Sequence, residues 1–278
     1  MRIVVLTTLA MLAFAGNSLL CRVALRDTAI DAATFTALRI ASGALMLAVL
    51  LRARGQRPTA GGSWLAGAML FSYAAFFSYA YRDLTAATGA LLLFGAVQMT
   101  MMGFGLLSGE RLAGRRLMGM LVAGAGLIAL LLPGLTAPPM LAAAFMALAG
   151  VSWGIYSLQA RTLGDPTIAT AGNFVRAVPF AAVLALAGSA GSSGGTTDLT
   201  GALYAVASGA ITSGLGYALW YAALPSLRAT SAATVQLSVP ALAALGGVVL
   251  LAEPLSLHLL LSSAAILGGI ALTIGRER

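Results

Sequence analysis

The chain has 278 residues, of which 60% are hydrophobic and 9% charged, with a formal net charge of +8 and a mean hydropathy of +0.95. Soluble domains carry about 25% charged residues, so a water-soluble fold is excluded, and ten helical crossings of about 20 residues each leave no room for an appended catalytic domain. All 16 basic residues are Arg; without Lys there is no phosphate-cradling Gly-Lys-Ser/Thr loop and no Schiff-base amine, and a single Cys (Cys21) and a single His (His258) exclude an internal disulfide and a His-based metal site.

Apolar runs bounded by charges or by Pro, Gly and Ser clusters predict ten membrane segments, at 3–21, 32–51, 63–81, 84–107, 116–133, 140–160, 169–188, 199–222, 230–251 and 257–274. The connections hold Arg52 to Gly62 with Pro58, the Pro133-Gly134 and Pro138-Pro139 turn, and the polar stretch from Gly188 to Asp198. Met1-Arg2 and Ala13-Phe14-Ala15 imitate a cleavable signal peptide, but the apolar run continues to Leu20 and is read as a crossing. With the N-terminus inside, the cytoplasmic loops hold Arg2, Arg52, Arg54, Arg57, Arg111, Arg115, Arg116, Arg161, Arg228, Arg276 and Arg278, and the outer loops only Arg22, Arg26 and Arg82. The positive-inside rule therefore places both termini in the cytoplasm, with the bacterial inner membrane as the expected location. The basic balance is read as topology aided by anionic lipid, and no nucleic-acid partner is expected.

Arg39 and Arg176 stand apart, each about eight residues into its segment, the second and the seventh. Their matching places begin a repeat. Gly16 overlays Gly154, Leu84 overlays Leu227, Thr88 overlays Ser231, Gly103 overlays Gly246 and Glu110 overlays Glu253. Five segments per copy force the second copy to be inverted, an architecture of secondary transporters with the substrate site between the halves. The halves are 1–136 and 137–278.

Polar side chains inside the segments are the candidates for chemistry. Asn17 lies amid the apolar first segment, where an amide is costly without a partner, and either lines a path or bridges two helices. Ser152, Tyr156 and Gln159 fall on one helix stripe beside Trp153 and are expected to face protein or a cavity. Ser72, Phe76 and Tyr79 in the third segment, and Ser213, Tyr217 and Trp220 in the eighth, repeat that spacing. Of these, Tyr79 and Tyr217 are expected on the lining, with Tyr81 and Tyr221 in the interfacial aromatic belt. Gln98 and Met102 in the fourth segment and Gln236 and Ser238 before Pro240 in the ninth complete the set. Pro240 removes a backbone donor and frees carbonyls, and methionines are adaptable apolar surface. Arg39 and Arg176 are either a carboxylate clamp or a gate and scaffold; matched places in opposite halves favour the gate or scaffold, with Pro240 beside them in that role. Glu110 and Glu253, at helix ends, are expected to fix loops.

The Gly-centred turns "FAGNSLLCRVAL" and "VSWGIYSLQARTL", the intramembrane Arg of the next helix, and the small-residue helices ending in "LLSGERL" and "LLAEPL" resemble the EamA-type ten-helix exporters of the drug/metabolite transporter superfamily, and in particular their amino-acid exporter branch. Two departures are visible: Ala15-Gly16 stands where the family pattern has Trp-Gly, kept here as Trp153-Gly154, and Val97 stands where Pro240 keeps the turn proline. The resemblance covers essentially the whole chain and implies an all-α, ten-helix exporter of amino acids, broad in range and including aromatic ones. Its partners are then the small-molecule substrate and the lipid bilayer; a monomer is expected, with no cofactor and no metal. Every acid falls at a helix end or in a loop, so export is expected to follow the substrate's own gradient or to proceed by exchange. The other readings are a membrane enzyme acting on lipid, which would need a clustered nucleophile and base, an exporter of other metabolites or drugs, and a passive pore.

Overall fold

The structure, a computed structural model, describes residues 2–108, 114–132, 137–160, 165–190, 197–223, 226–227 and 235–274. Among these residues the long elements are all α-helical: α1 Arg2–Asp27, α2 Ala32–Ala53, α3 Trp64–Tyr81, α4 Ala86–Leu107, α5 Gly114–Leu131, α6 Met140–Ala160 and α7 Pro166–Ser189. They are followed by α8 Leu199–Ala223, α9 Ser238–Leu251 and α10 Leu257–Ile274. The middle of α8, Ser208–Leu215, is wound as a π-helix.

The starts of five helices are fixed by side-chain caps. Asp31 accepts from Ala33 N and Thr34 N, Ser63 from Ala66 N, Thr85 from Thr88 N, Asp165 from Thr167 N and Ile168 N, and Asp198 from Gly201 N. These caps explain the small differences from the sequence boundaries: Thr85 delays α4 to residue 86, and Asp165 with Pro166 in the first turn brings α7 forward to 166. α1 runs on to Asp27 because the charge of Arg22 is met by Glu253 rather than by water. The ninth apolar run was expected from residue 230, but α9 begins at Ser238, and 228–234 lie outside the described residues.

Among the described residues six helices, α1, α2, α4, α6, α7 and α8, are long and apolar enough to cross a membrane. Their large apolar side chains turn outward: Leu9 and Leu12 on α1, Leu45 and Val49 on α2, Val183 and Leu186 on α7, with Leu245 and Val249 doing the same on α9. The inward faces carry small residues such as Ala10, Ala15, Ala44, Ala177, Ala205 and Ala243. That distribution suits lipid outside and close helix contact inside. α1 packs on α8 and α9, α6 on α3 and α4, α2 on α7 and α8, α3 on α7, α4 on α9, and α5 on α10. Contact is closest at Gly209, where an added Cβ would collide with the Arg39 carbonyl and Ser42 Oγ of α2, and at Gly172, where it would collide with the Gly61 carbonyl.

Candidate functional site

Four helices contribute to one buried polar cluster. Asn17 of α1, 6% exposed, donates from Nδ2 to the Tyr73 hydroxyl of α3 at 3.3 Å. Its Oδ1 accepts from Ser208 Oγ at 2.8 Å and Thr212 Oγ1 at 3.3 Å, both on the π-helical part of α8. Four residues apart, the two hydroxyls lie on one face of α8 and meet the same amide. Arg39 of α2 donates from Nη2 to the same Tyr73 oxygen at 3.1 Å, and its guanidinium lies 4.8 Å from the Phe77 ring centroid and 5.2 Å from that of Tyr73.

An aromatic group continues from this cluster. The Tyr73 ring is 4.8 Å from Trp153 of α6, which stacks on Tyr156 at 5.1 Å and on Tyr217 of α8 at 5.4 Å. Phe14 of α1 and Phe174 of α7 close on Tyr217 at 5.6 and 6.0 Å, and Phe14 also meets Trp220. Tyr156 donates to Thr170 Oγ1 and accepts from Asn173 Nδ2, each at 3.4 Å. Asn173 Oδ1 takes the N–H of Ser63 at 2.9 Å. Gly62, at φ +83°, makes that approach possible, since a Cβ there would strike Asn173. Amides, hydroxyls and a guanidinium beside π faces can bind a small zwitterion with an apolar or aromatic side chain.

The residues singled out from sequence are distributed unequally. Asn17, Trp153, Tyr156 and Tyr217 are brought together here, with Arg39 against them. Tyr79 is half-buried and packs on Phe145 of α6 at 6.0 Å, away from Tyr73. Gln98 and Met102 on α4, and Gln236 and Ser238 at the head of α9, are half-buried; no hydrogen bond joins them to the cluster, and Ser238 Oγ donates to the Val235 carbonyl. Pro240 is buried at the start of α9. Arg176 donates from Nη1 to the carbonyls of Gly61 and Gly172 at 2.8 and 2.9 Å, tying α7 to the loop before α3. Tyr81, expected in the interfacial belt, is instead wholly buried, its ring 4.6 Å from Phe77 and its hydroxyl donating to the Ala86 carbonyl.

Sequence reasoning missed Tyr73, Ser208 and Thr212. Tyr73, Phe77 and Tyr81 recur every four residues along α3, an aromatic stripe one position away from the Ser72, Phe76, Tyr79 stripe that was read. At the end of α1, Glu253 receives Arg22 Nε at 3.1 Å and Ala86 N at 2.8 Å. Arg22 Nη1 also donates to the carbonyls of Tyr81 and Arg82. Glu110 lies outside the described residues.

Residues 140–275 match the EamA-like transporter family. An uncharacterized protein of Pseudomonas aeruginosa is 59% identical over 276 residues, which cover 98% of this chain and 94% of that protein. A solved crystal structure superposes with a TM-score of 0.68 at 21% identity, covering 97% of this chain and 96% of the other. At that identity the likeness is one of fold.

Proposed function

The chain belongs to the EamA-like transporter family, and on that premise we propose that it exports amino acids across the bacterial inner membrane by alternating access. The working unit is one chain of ten crossings, both termini cytoplasmic, built from inverted halves at 1–136 and 137–278. Supporting the inversion, the main helix contacts survive exchange of each helix for the one five places away: α1 on α8 and α9 becomes α6 on α3 and α4, and α2 on α8 becomes α7 on α3. The contacts of α2 with α7, α4 with α9 and α5 with α10 exchange with themselves.

The observation that carries the amino-acid reading is the buried Asn17–Tyr73–Arg39 cluster against the Trp153 stack, drawn from both halves. An amino acid brings an ammonium, a carboxylate and a variable side chain. Hydroxyl and amide oxygens meet the first, N–H and O–H donors the second, and the rings of Trp153, Tyr156 and Tyr217 the third through apolar area. Gln98, Met102, Gln236 and Ser238 line the route on the α4 and α9 side, with Tyr79 on α3. Pro240 lies in the first turn of α9, and Arg176 braces the loop before α3 while the halves move.

Efflux of labelled amino acids from proteoliposomes, across a panel of aromatic, aliphatic and polar side chains, tests the proposal. The expected result is saturable efflux of several members, lost in Trp153→Ala and weakened in Gln236→Ala, both inserting normally. Efflux no faster than from protein-free liposomes for the whole panel refutes it.

A further inference from the structure

The two matched intramembrane arginines differ in one respect. Arg176 spends Nη1 on two backbone carbonyls, whereas Arg39 is 2% exposed and its Nη1 has no hydrogen-bond partner among the described residues. No described carboxylate answers the Arg39 charge. Asp31, Asp165 and Asp198 cap helices, Asp27 pairs with Arg26, Glu253 pairs with Arg22, and Asp83 is exposed in the turn between α3 and α4. The Phe77 and Tyr73 faces attract the guanidinium but take none of its N–H groups. Tyr73 adds a second unspent donor, because its oxygen accepts from both Asn17 and Arg39 and no described acceptor takes its own proton. A buried guanidinium lacking a counter-anion is costly; a planar fork of N–H donors fits a carboxylate or a phosphate, and of these an amino acid supplies the carboxylate.

We propose that Arg39 is the receptor for the substrate's carboxylate, with the Tyr73 hydroxyl as second donor and the Trp153 ring, 4.8 Å from Tyr73, as the surface that takes the side chain. Arg39 is thereby a binding residue rather than a gate, and Arg176 alone keeps the scaffold role. The proposal rests on the amino-acid reading for the choice of a carboxylate and for the rest of the ligand. Acids are bound; the corresponding amides and amines are not.

The test is binding to the purified full chain in detergent, followed by tryptophan fluorescence. The probes are L-phenylalanine, 3-phenylpropionate, L-phenylalaninamide and phenethylamine in a carboxylate-free buffer. Both carboxylates should bind about tenfold or more tighter than the amide and the amine. Arg39→Gln should abolish that preference, and Arg39→Lys, which keeps the charge and loses the fork, should retain part of it. Equal binding of acid and amide by the unmodified chain overturns the proposal without any variant, as does failure of either carboxylate to bind, or a preference that survives Arg39→Gln. Carboxylate binding with no flux in proteoliposomes would instead refute amino-acid export and leave the Arg39 assignment standing.

Discussion

Removing the charge of Glu253 should loosen the end of the bundle where α1, the α3–α4 turn and the segment after α9 meet. Its two oxygens do different work: Oε1 lies 3.1 Å from Arg22 Nε, and Oε2 accepts the Ala86 N–H at 2.8 Å. The Arg22 and Glu253 side chains are 11% and 6% exposed, so water replaces neither contact. Stranding one partner of a buried pair costs about 3–5 kcal/mol, but Arg22 keeps the carbonyls of Tyr81 and Arg82 at 3.0 and 2.8 Å. Glu253→Gln, which retains an oxygen for Ala86 N, is therefore expected to cost about 2 kcal/mol, below the stranding figure and above the roughly 0–1 kcal/mol of an exposed pair. Glu253→Ala also abandons the Ala86 N–H and should cost a further 1–3 kcal/mol or so. Unfolding of the purified protein titrated with a denaturing detergent gives the order directly. Combining Arg22→Met with Glu253→Gln should cost clearly less than the two single changes added, since they share one contact. A Gln variant within about 0.5 kcal/mol of the unmodified chain, or strict additivity in the double variant, would refute this description of the contact.

Gly209→Val should destabilise by about 1–3 kcal/mol in the same titration, because the new side chain meets the Arg39 carbonyl and Ser42 Oγ across the α2–α8 contact; an unchanged midpoint would mean those helices are not in contact there. Flux should be indifferent to an imposed pH difference, since the described acids all sit at helix ends or in connecting segments; acceleration by an inward proton gradient that disappears in Glu253→Gln would contradict this. A C-terminal alkaline phosphatase fusion should be inactive and a fluorescent-protein fusion bright, as a cytoplasmic C-terminus requires, and the reverse pattern would overturn the assigned orientation.

Much of the helix layout was legible because lipid imposes a length and a composition on any span. The second run was read as 32–51 against α2 at 32–53, and the eighth as 199–222 against α8 at 199–223. Asn17, Trp153, Tyr156 and Tyr217 were legible for the same reason, as polar or amphipathic groups with no reason to face lipid. Their partners were not. In α3 both the Ser72 and the Tyr73 stripes carry aromatics, so periodicity alone could not say which faces inward, and only the neighbouring helices decide it. The four-residue spacing of Ser208 and Thr212 puts them on one face of α8, but two small hydroxyls in an apolar run do not announce that this face meets Asn17. The difference between Arg39 and Arg176 was hidden as well. Their sequence places match, but one guanidinium finds backbone carbonyls in the loop before α3 and the other finds a phenol and two rings.

The most direct test of amino-acid export by alternating access is counterflow. Proteoliposomes loaded with a high concentration of an unlabelled amino acid are diluted into a trace of the same compound carrying label. A carrier whose site faces one side at a time should draw label inward transiently above its outside concentration, and Trp153→Ala should abolish that overshoot. Label that only rises to equality with the outside, at a rate unaffected by the unlabelled load, would mean a passive pore and would contradict alternating access.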